Sequence, residues 1–272
     1  MRTPTEMVGL GKIERERLSA VLRGAKGTIT VDDAAKALNK TNTDAAKFLS
    51  LCAKKGWLSR VRRGVYIPVP LESKTADVVL EDAWIIADQL FKPSYIGGWS
   101  AAEYWDLTEQ IFRTVLVVTA TRPRKIQQHI KGTEYLLKSV SNKAMFGLKA
   151  VWRGQIKVFV SDPTRTIVDM LNDPQLGGGL RSTVDMFKNY LASEKKDLPL
   201  LIKYAEQLGN GAVFKRLGFL LEKLSAADQD IITQCRERLT TGNAKLDPTL
   251  ASKRLITRWR LWVPEQWAGE AQ

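Results

Sequence analysis

The apolar positions between residues 31 and 56 twice follow the period of a helix, on either side of a short polar turn. The first run, Val31–Leu38, has two aspartates in its first turn, where negative charge suits the dipole of a helix. The second run extends to about Lys55 and is ended by Gly56. Its buried face is predicted by apolar residues spaced i, i+3, i+4 and i+7, namely Ala45, Phe48, Leu49 and Cys52. With Asn39–Thr41 as the turn, the pattern predicts a helix-turn-helix.

Directly after the second helix the pattern changes to that of two short strands. Trp57–Arg60 and Gly64–Pro68 are the predicted strands, and the tip between them is basic. Its three arginines lie within four positions and repel one another unless an acidic surface faces them. The phosphate backbone of DNA is such a surface, and a wing beside a recognition helix is placed to reach it. A solvated hairpin is the alternative interpretation, but the preceding helix-turn-helix favours DNA binding.

The residues predicted to contact DNA lie along the second helix and at the wing tip. They are Lys40, Thr41, Asn42, Thr43, Lys47, Lys54, Lys55, Arg60, Arg62 and Arg63. The N-terminal end of a recognition helix normally meets base edges in the major groove, so Thr41, Asn42 and Thr43 are expected to choose the sequence. The alternative is that all three are helix caps. The arginines are expected to contribute affinity through phosphate contacts.

The rest of the chain predicts a second, larger domain. Two prolines within Pro68–Ser73 forbid a helix there and predict a linker, which places the domains at residues 1–73 and 74–272. After a helix over Asp77–Phe91, the apolar run Phe112–Ala120 predicts a central strand.

Turn residues further along predict two hairpins, around Lys131–Gly132 and around Gly154, and hence a mixed, mostly antiparallel sheet. A helical run is predicted from Asp162 to Leu239, and a last strand over Leu255–Val263. The fold class expected is therefore α+β: a winged helix-turn-helix followed by a mixed α/β domain with an antiparallel-rich sheet and a C-terminal helical run.

The charge of the chain is uneven. The 272 residues hold 42 Lys and Arg against 29 Asp and Glu, a net charge of +13. Residues 1–73 hold 14 basic and 7 acidic side chains, and the remainder holds 28 and 22. About half of the excess thus lies in about a quarter of the chain, which indicates a nucleic-acid-binding N-terminal module. An anionic membrane is the weaker alternative, because no basic amphipathic helix with an aromatic apolar face accompanies the charge.

The composition also limits which kinds of site and which cellular location are expected. Cys52 and Cys235 do not form a disulfide framework, and with His129 they do not form a recognisable zinc site. Residues 1–11 lack the apolar run of a secretory signal, and no stretch approaches 18 apolar residues. We therefore expect a cytoplasmic protein without a cofactor or a metal.

Several stretches together resemble one family. They are RRGVYIP at the end of the wing, YIGGWSAAEYWDLTEQ, SDPTRTIVDML with the following GGG, LGNGAVFKRLGFLLE and LDPTLASKRLITRWRLWV. In order and spacing, from about Lys12 to Val263, they resemble the AbiEi family of abortive-infection antitoxins that double as transcriptional repressors.

The resemblance implies a winged helix that binds inverted repeats in the protein's own promoter, and a C-terminal domain that counteracts an AbiEii-type nucleotidyltransferase toxin. It also implies a type IV toxin-antitoxin system, a phage-defence role and a toxin that is often not contacted directly. Since one short recognition helix reads few base pairs, two copies are expected on one operator.

Gly97–Gly98 followed by Ser100 is similar to the start of a nucleotidyltransferase signature. That chemistry needs paired carboxylates nearby to hold metal ions, and only Glu103 and Asp106 are available. A tight turn into a helix capped by Ser100 is the preferred interpretation, and no catalytic residue is assigned. The alternative function, a DNA-tethered phosphoryl- or nucleotidyl-transferring enzyme, would show metal-dependent activity in the purified protein.

Two basic clusters are candidates for an interaction surface. Lys215 and Arg216 follow an Asn-Gly turn, where a helix start can bind phosphate, although solvated charges are the preferred interpretation. Arg254, Arg258 and Arg260 are interleaved with tryptophans, which is typical of an interface and equally of a charged edge strand.

Overall fold

The computed structural model describes residues 9–25, 28–69, 82–153, 156–224 and 228–268. These residues divide into two compact units. The first contains the chain up to Lys92 together with Gln127–Tyr135 and Trp152–Val158. The second contains the remaining described residues: Pro93–Ile126, Leu136–Val151 and the chain from Phe159 onward.

The first unit begins with helices and short strands in the order expected of a winged helix-turn-helix. Its elements are α1 (Lys12–Gly24), β1 (Ile29–Thr30), α2 (Val31–Leu38), α3 (Asn42–Lys54), β2 (Leu58–Arg62), β3 (Val65–Pro68) and α4 (Ala83–Phe91). The three strands form an antiparallel sheet in the order β1-β3-β2. This arrangement of helices and strands fits the predicted fold of the N-terminal region.

Local sequence explains why α2 and α3 start and stop where they do. The Thr30 hydroxyl accepts a hydrogen bond from the Asp33 N–H while the Asp33 carboxylate accepts one from the Thr30 N–H, which is a reciprocal cap. Asn39 ends α2 in the left-handed conformation at φ 49°. Ala45, Leu49 and Cys52 are fully buried on α3 and Phe48 is partly buried beside them, which confirms the position of the predicted apolar face.

The predicted linker and domain boundary fall on residues 70–81, which lie outside the described residues. The same holds for the first part of the helix predicted over Asp77–Phe91. Where the description resumes, α4 belongs to the first unit. The boundary between residues 73 and 74 stays a prediction.

The larger sheet is mixed. Its strands are β4 (Ser94–Ile96), β5 (Thr114–Thr119), β6 (Gln127–Ile130), β7 (Thr133–Ser139), β8 (Leu148–Arg153) and β9 (Ile156–Ser161), in the order β6-β7-β5-β4-β9-β8. β4 pairs antiparallel with β5 and parallel with β9. β5 is an interior strand, as its apolar run predicts, and Leu116, Val117 and Val118 are buried.

The helices of the second unit enclose its core. They are α5 (Gly98–Tyr104), α6 (Pro163–Asn172), α7 (Leu180–Ala192), α8 (Leu198–Leu208), α9 (Gly211–Leu224), α10 (Gln229–Glu237) and the short α11 (Glu265–Ala268). Phe187, Phe219 and Trp259 are among the largest fully buried side chains of this core. The helical run predicted after Asp162 agrees with α6–α10, and Asp162 caps α6 by accepting from the Arg165 N–H at 2.7 Å.

Two local predictions are wrong. The C-terminal segment is not one strand but an antiparallel hairpin of β11 (Arg254–Ile256) and β12 (Leu261–Val263), with the short β10 (Ala244–Lys245) parallel to β12. A 3-10 turn at Thr257–Trp259 and a left-handed Arg260 at φ 48° reverse the chain, and the turn buries Trp259. Ser100 is not a cap: its Oγ accepts the Leu116 N–H at 2.9 Å, and Gly97 occupies the capping position of α5.

Candidate nucleic-acid interface

The start of α3 carries the residues predicted to choose the DNA sequence. The Thr41 hydroxyl accepts from the Asp44 N–H at 3.2 Å and donates to the Asp44 carboxylate at 2.8 Å, so Thr41 is a cap. Asn42 donates from Nδ2 to Asp32 Oδ1 at 2.8 Å, which links α3 to α2. That bond uses one of the two N–H groups of the amide and none of its acceptor capacity. Thr43 is exposed.

The outer face of α3 combines cations with small side chains. Lys47 and Lys54 are exposed, and the half-buried Ala46 and Ser50 lie beside them on the same face. With Leu51 these residues line a shallow depression along the helix. Lys40 is exposed at the turn before α3. Short side chains flanked by lysines allow a nucleic-acid groove to approach the helix closely while the lysines meet its phosphates.

Lys55 differs from the other predicted DNA contacts. It is half-buried, and its Nζ forms an ion pair with Glu14 of α1 at 2.6 Å. The hydrogen bond from Lys55 lowers the pKa of the Glu14 carboxyl. The ion pair joins the end of α3 to α1, and it compensates the charge of Lys55 within the first unit.

The three wing arginines have different surroundings. Arg62 lies in β2 and donates from Nη2 to the Leu90 carbonyl at the end of α4, at 3.3 Å. Arg60 donates from Nε to the Arg62 carbonyl at 3.4 Å, and the register of β2 shifts between these two residues. Arg63 is exposed in the turn, beside Gly64 at φ 78°. An irregularity of this kind re-aims side chains. Of the three arginines, Arg63 alone forms no hydrogen bond or ion pair with a residue that the structure describes.

The first unit also contains contacts between residues that are distant in sequence, one at the wing and two at α4. Lys131 hydrogen-bonds the Ser59 hydroxyl on β2, and the Tyr135 hydroxyl donates to the Ala83 carbonyl at 3.0 Å. The Arg153 guanidinium lies 4.1 Å from the centre of the Trp84 ring. Nothing in the local sequence signals these contacts, because they join segments separated by about fifty residues or more.

Lys215 and Arg216 are not part of a surface, so both the phosphate-binding and the solvated interpretations are wrong. They are 2 % and 4 % exposed. Lys215 bonds the Thr240 hydroxyl at 2.9 Å and the Gly242 carbonyl, and burial lowers its pKa. Arg216 donates to the carbonyls of Leu171, Asn172 and Lys245 at 2.8–2.9 Å. The carbonyls of Leu171 and Asn172 lie in the last turn of α6, where they have no partner within the helix. Arg216 therefore supplies the hydrogen-bond donors that the end of α6 needs.

The C-terminal arginines do not share one strand face. Arg258 forms an ion pair with Glu222 at 2.9 Å, and the same carboxylate accepts from Trp259 Nε1 at 2.7 Å. Arg260 donates to the Thr240 carbonyl at 3.1 Å. Arg254 is exposed on β11, an edge strand of its small sheet, as the charged-edge interpretation describes. Arg258 and Arg260 hold the hairpin against its neighbours.

Sequence reasoning overlooked a buried ion pair in the SDPTRTIVDML stretch. Arg165 is 0 % exposed and contacts Asp169 one helical turn later at 2.9 Å. The Tyr95 hydroxyl donates to the same carboxylate at 2.8 Å, and the guanidinium stacks 3.9 Å from the centre of the Phe146 ring. Burial raises the pKa of the Asp169 carboxyl, and the adjacent guanidinium opposes that shift. The i, i+4 spacing of Arg and Asp was the available signal.

The nucleotidyltransferase-like stretch serves the fold. Ser100 is 6 % exposed and holds β5, while Glu103 and Asp106 are exposed. Across the described ranges, no three or more His, Cys, Asp and Glu side chains are grouped so that they could hold a metal ion. No helix in the described part of the chain has the length and apolar character that a membrane crossing requires.

Comparison with known proteins bears on the N-terminal part. A family model described as a transcriptional regulator, AbiEi antitoxin, matches residues 16–69. The match begins within α1 and ends one residue after β3, so it coincides with the helix-turn-helix and wing. No curated protein matches the chain.

Proposed function

We propose that the chain is an antitoxin that represses its own promoter, on the premise that residues 16–69 match the family model of the AbiEi antitoxin transcriptional regulators. The winged helix binds inverted repeats in the promoter DNA. The C-terminal part counteracts a nucleotidyltransferase-type toxin of the AbiEii kind. Both activities place the protein in the cytoplasm.

One observation carries the DNA-binding part of the proposal. The family match covers the same residues whose outward face is cationic: Lys40, Lys47 and Lys54 on and before α3, and Arg63 at the wing tip, are all exposed. Arg60 and Arg62 flank that tip. A recognition helix with a basic wing contacts the major groove and the neighbouring backbone of one duplex at the same time. Lys55 has no place in this set because its charge is compensated by Glu14.

Two copies are expected on each operator. α3 has 13 residues, of which only the first turns reach base edges, so one copy reads a few base pairs. Inverted repeats present two such half-sites, and pairing them multiplies specificity. Footprinting at saturation should protect both half-sites, and protection of a single half-site would contradict this arrangement.

A gel-shift titration on the promoter fragment, run beside a growth assay with the co-expressed toxin, tests the proposal. The variant Lys47→Ala/Lys54→Ala/Arg63→Ala removes three exposed cations from the predicted interface. Its control, Arg181→Ala/Lys195→Ala/Lys203→Ala, removes three exposed cations from the second unit. We expect the first variant alone to lose promoter binding, and both to protect growth.

Each half of the proposal fails separately. Promoter binding that is equally strong in the first variant and the control would remove the assigned DNA interface. Wild-type protein that binds the promoter but gives no protection against the toxin would remove the antitoxin role.

A further inference from the structure

The second unit contains a groove on the side of the sheet where β7 runs past the loop that follows β5. It encloses about 780 Å³, within the range of roughly 300–1,000 Å³ that is usual for ligand sites. The loop contributes Arg122, Arg124 and Ile126, β7 contributes Leu136 and Lys138, and the 3-10 segment Pro174–Gly177 contributes Leu176.

Both walls of the groove are held by the fold. The loop is fixed at one end by the Ser139 hydroxyl, which donates to the Thr121 carbonyl at 2.9 Å. At the other end the Ile126 carbonyl accepts the Leu137 N–H at 2.8 Å. Across the groove, Gln175 donates to the Thr249 hydroxyl at 3.1 Å. A site held in this way costs little ordering entropy when it binds.

The rim of the groove is cationic. Arg122 and Arg124 are exposed, and neither forms a hydrogen bond or an ion pair with any residue that the structure describes. The third cation, Lys138, is neutralised by Asp173 at 2.5 Å. The two arginines therefore leave a net positive rim that nothing in the described ranges compensates.

The floor of the groove is apolar. Ile126 is 62 % exposed although it is a large branched hydrocarbon, and Leu136 beside it is half-buried. Leu176 is buried beneath them. An exposed apolar floor under a charged rim is the usual arrangement of a protein-docking site.

We propose that this groove docks a short acidic segment of a partner protein, with an apolar side chain of the segment on Ile126 and its carboxylates on Arg122 and Arg124. Guanidinium forks bind carboxylates with two parallel hydrogen bonds, which suits this rim. Sites for single-stranded nucleic acid stack its bases on aromatic side chains, and none of the residues that line the groove is aromatic. This docking role goes beyond the proposed function and does not depend on promoter binding.

Fluorescence anisotropy with defined probes tests the docking site in the full chain. The acidic probe is a labelled eight-residue peptide of alternating glutamate and leucine. Its controls are peptides with lysine in place of glutamate or serine in place of leucine, and a labelled oligothymidylate of equal length. We expect saturable binding of the acidic probe that weakens with salt, and at least about tenfold weaker binding of each control peptide.

Variants then locate the site. Arg122→Glu/Arg124→Glu should weaken the acidic probe by about tenfold or more and should improve binding of the lysine peptide. Ile126→Ser should weaken the acidic probe severalfold without lowering the thermal midpoint, since Ile126 is mostly exposed. Lys195→Glu/Lys203→Glu is the control, with the same change of charge at exposed sites outside the groove.

Three results would overturn the proposal. The first is no saturable binding of the acidic probe up to about 1 mM, the weak limit of useful affinity. The second is equal weakening by the groove variant and its control, which would show a general charge effect. The third is oligothymidylate binding that depends on Arg122 and Arg124, which would make the groove a nucleic-acid site. Promoter binding is measured in parallel and should be unchanged in Arg122→Glu/Arg124→Glu.

Discussion

Among single residues, Asn42 best shows how a side chain can serve the fold and still be available to a ligand. Its amide bonds Asp32 across the helix-turn-helix, yet its oxygen and one N–H remain for an adenine edge. Thr41 has no such freedom, because its hydroxyl both donates to and accepts from Asp44. Of the three residues predicted to choose the DNA sequence, this leaves Asn42 and the exposed Thr43 as the candidates for base contacts.

Replacing Asn42 by alanine should relax base preference at one operator position by about 1–3 kcal/mol, the usual value of one good base contact. Competition gel shifts with single-base operator variants measure this preference. The control Asp32→Ala removes the same bond to Asn42 but keeps the amide, so it should retain the preference. If both variants lose stability alike and neither changes base preference, Asn42 only joins α2 to α3.

The wing should supply affinity without choosing a sequence. Arg62→Ala/Arg63→Ala should weaken binding to all DNA and lower the slope of log affinity against log salt by about 0.9 for each phosphate that is no longer neutralised. Most of the change should come from Arg63, since Arg62 also donates to the Leu90 carbonyl of α4. Salt titrations of both single variants separate the two contributions. An unchanged slope in the double variant would show that the wing does not contact phosphate.

At the scale of elements, buried cations join helices and loops by donating hydrogen bonds to oxygen atoms of neighbouring segments, among them the unpaired carbonyls at helix ends. Arg216 of α9 donates hydrogen bonds to the last carbonyls of α6, and Lys215 donates one to the Thr240 hydroxyl. Arg165 of α6 joins that helix to Tyr95 of β4 through their shared contact with Asp169. These contacts specify how the elements fit together, which apolar packing alone does with less precision.

Breaking the buried pair should be costly. Asp169→Ala leaves the Arg165 guanidinium buried without its counter-ion, and we expect a loss of about 3–5 kcal/mol in the free energy of unfolding. Urea denaturation followed by tryptophan fluorescence measures it. Asp185→Ala is the control: its pair with Lys188 spans 3.7 Å at the surface of α7, so its loss should cost about 0–1 kcal/mol. Similar losses in both variants would mean that the Arg165–Asp169 pair has no special role.

At the scale of the whole molecule, each compact unit contains one buried cysteine. Cys52 lies in the core of the first unit and Cys235 in that of the second, and both are 0 % exposed. Burial raises the pKa of the Cys52 thiol to about 11 and that of Cys235 to about 12. Since the thiolate is the reactive form, both side chains should stay largely unreactive at about pH 8 while folded.

Alkylation should therefore report the opening of each unit separately. With iodoacetamide at rising urea concentrations and peptide mass spectrometry, we expect two distinct transitions if the units unfold independently. A destabilising change in one unit, such as Asp169→Ala, should advance labelling of Cys235 and leave Cys52 unchanged. Simultaneous labelling of both cysteines in every variant would show that the two units unfold as one.

Much of the N-terminal fold could be predicted from the sequence because its signals are local. Helix periods, caps and turn residues act within a few positions, so the bounds of α2 and the buried face of α3 follow from neighbouring side chains. The same holds for the Asp162 cap of α6 and for the apolar run of β5. The family resemblance at the winged helix also rests on the sequence, and the comparison confirms it over residues 16–69.

Only the tertiary structure decided which charges are free. Lys47, Lys55 and Lys215 look alike in the sequence, yet one is exposed, one is paired with Glu14 and one is buried against carbonyl groups. Whether a cation is available to a ligand depends on partners that lie tens of residues away in the sequence, and the local sequence pattern does not show which residues those partners are. The reversal of the chain at Arg260 has the same origin, because Trp259 is buried where it packs against Gly218 of α9, a residue distant in the sequence.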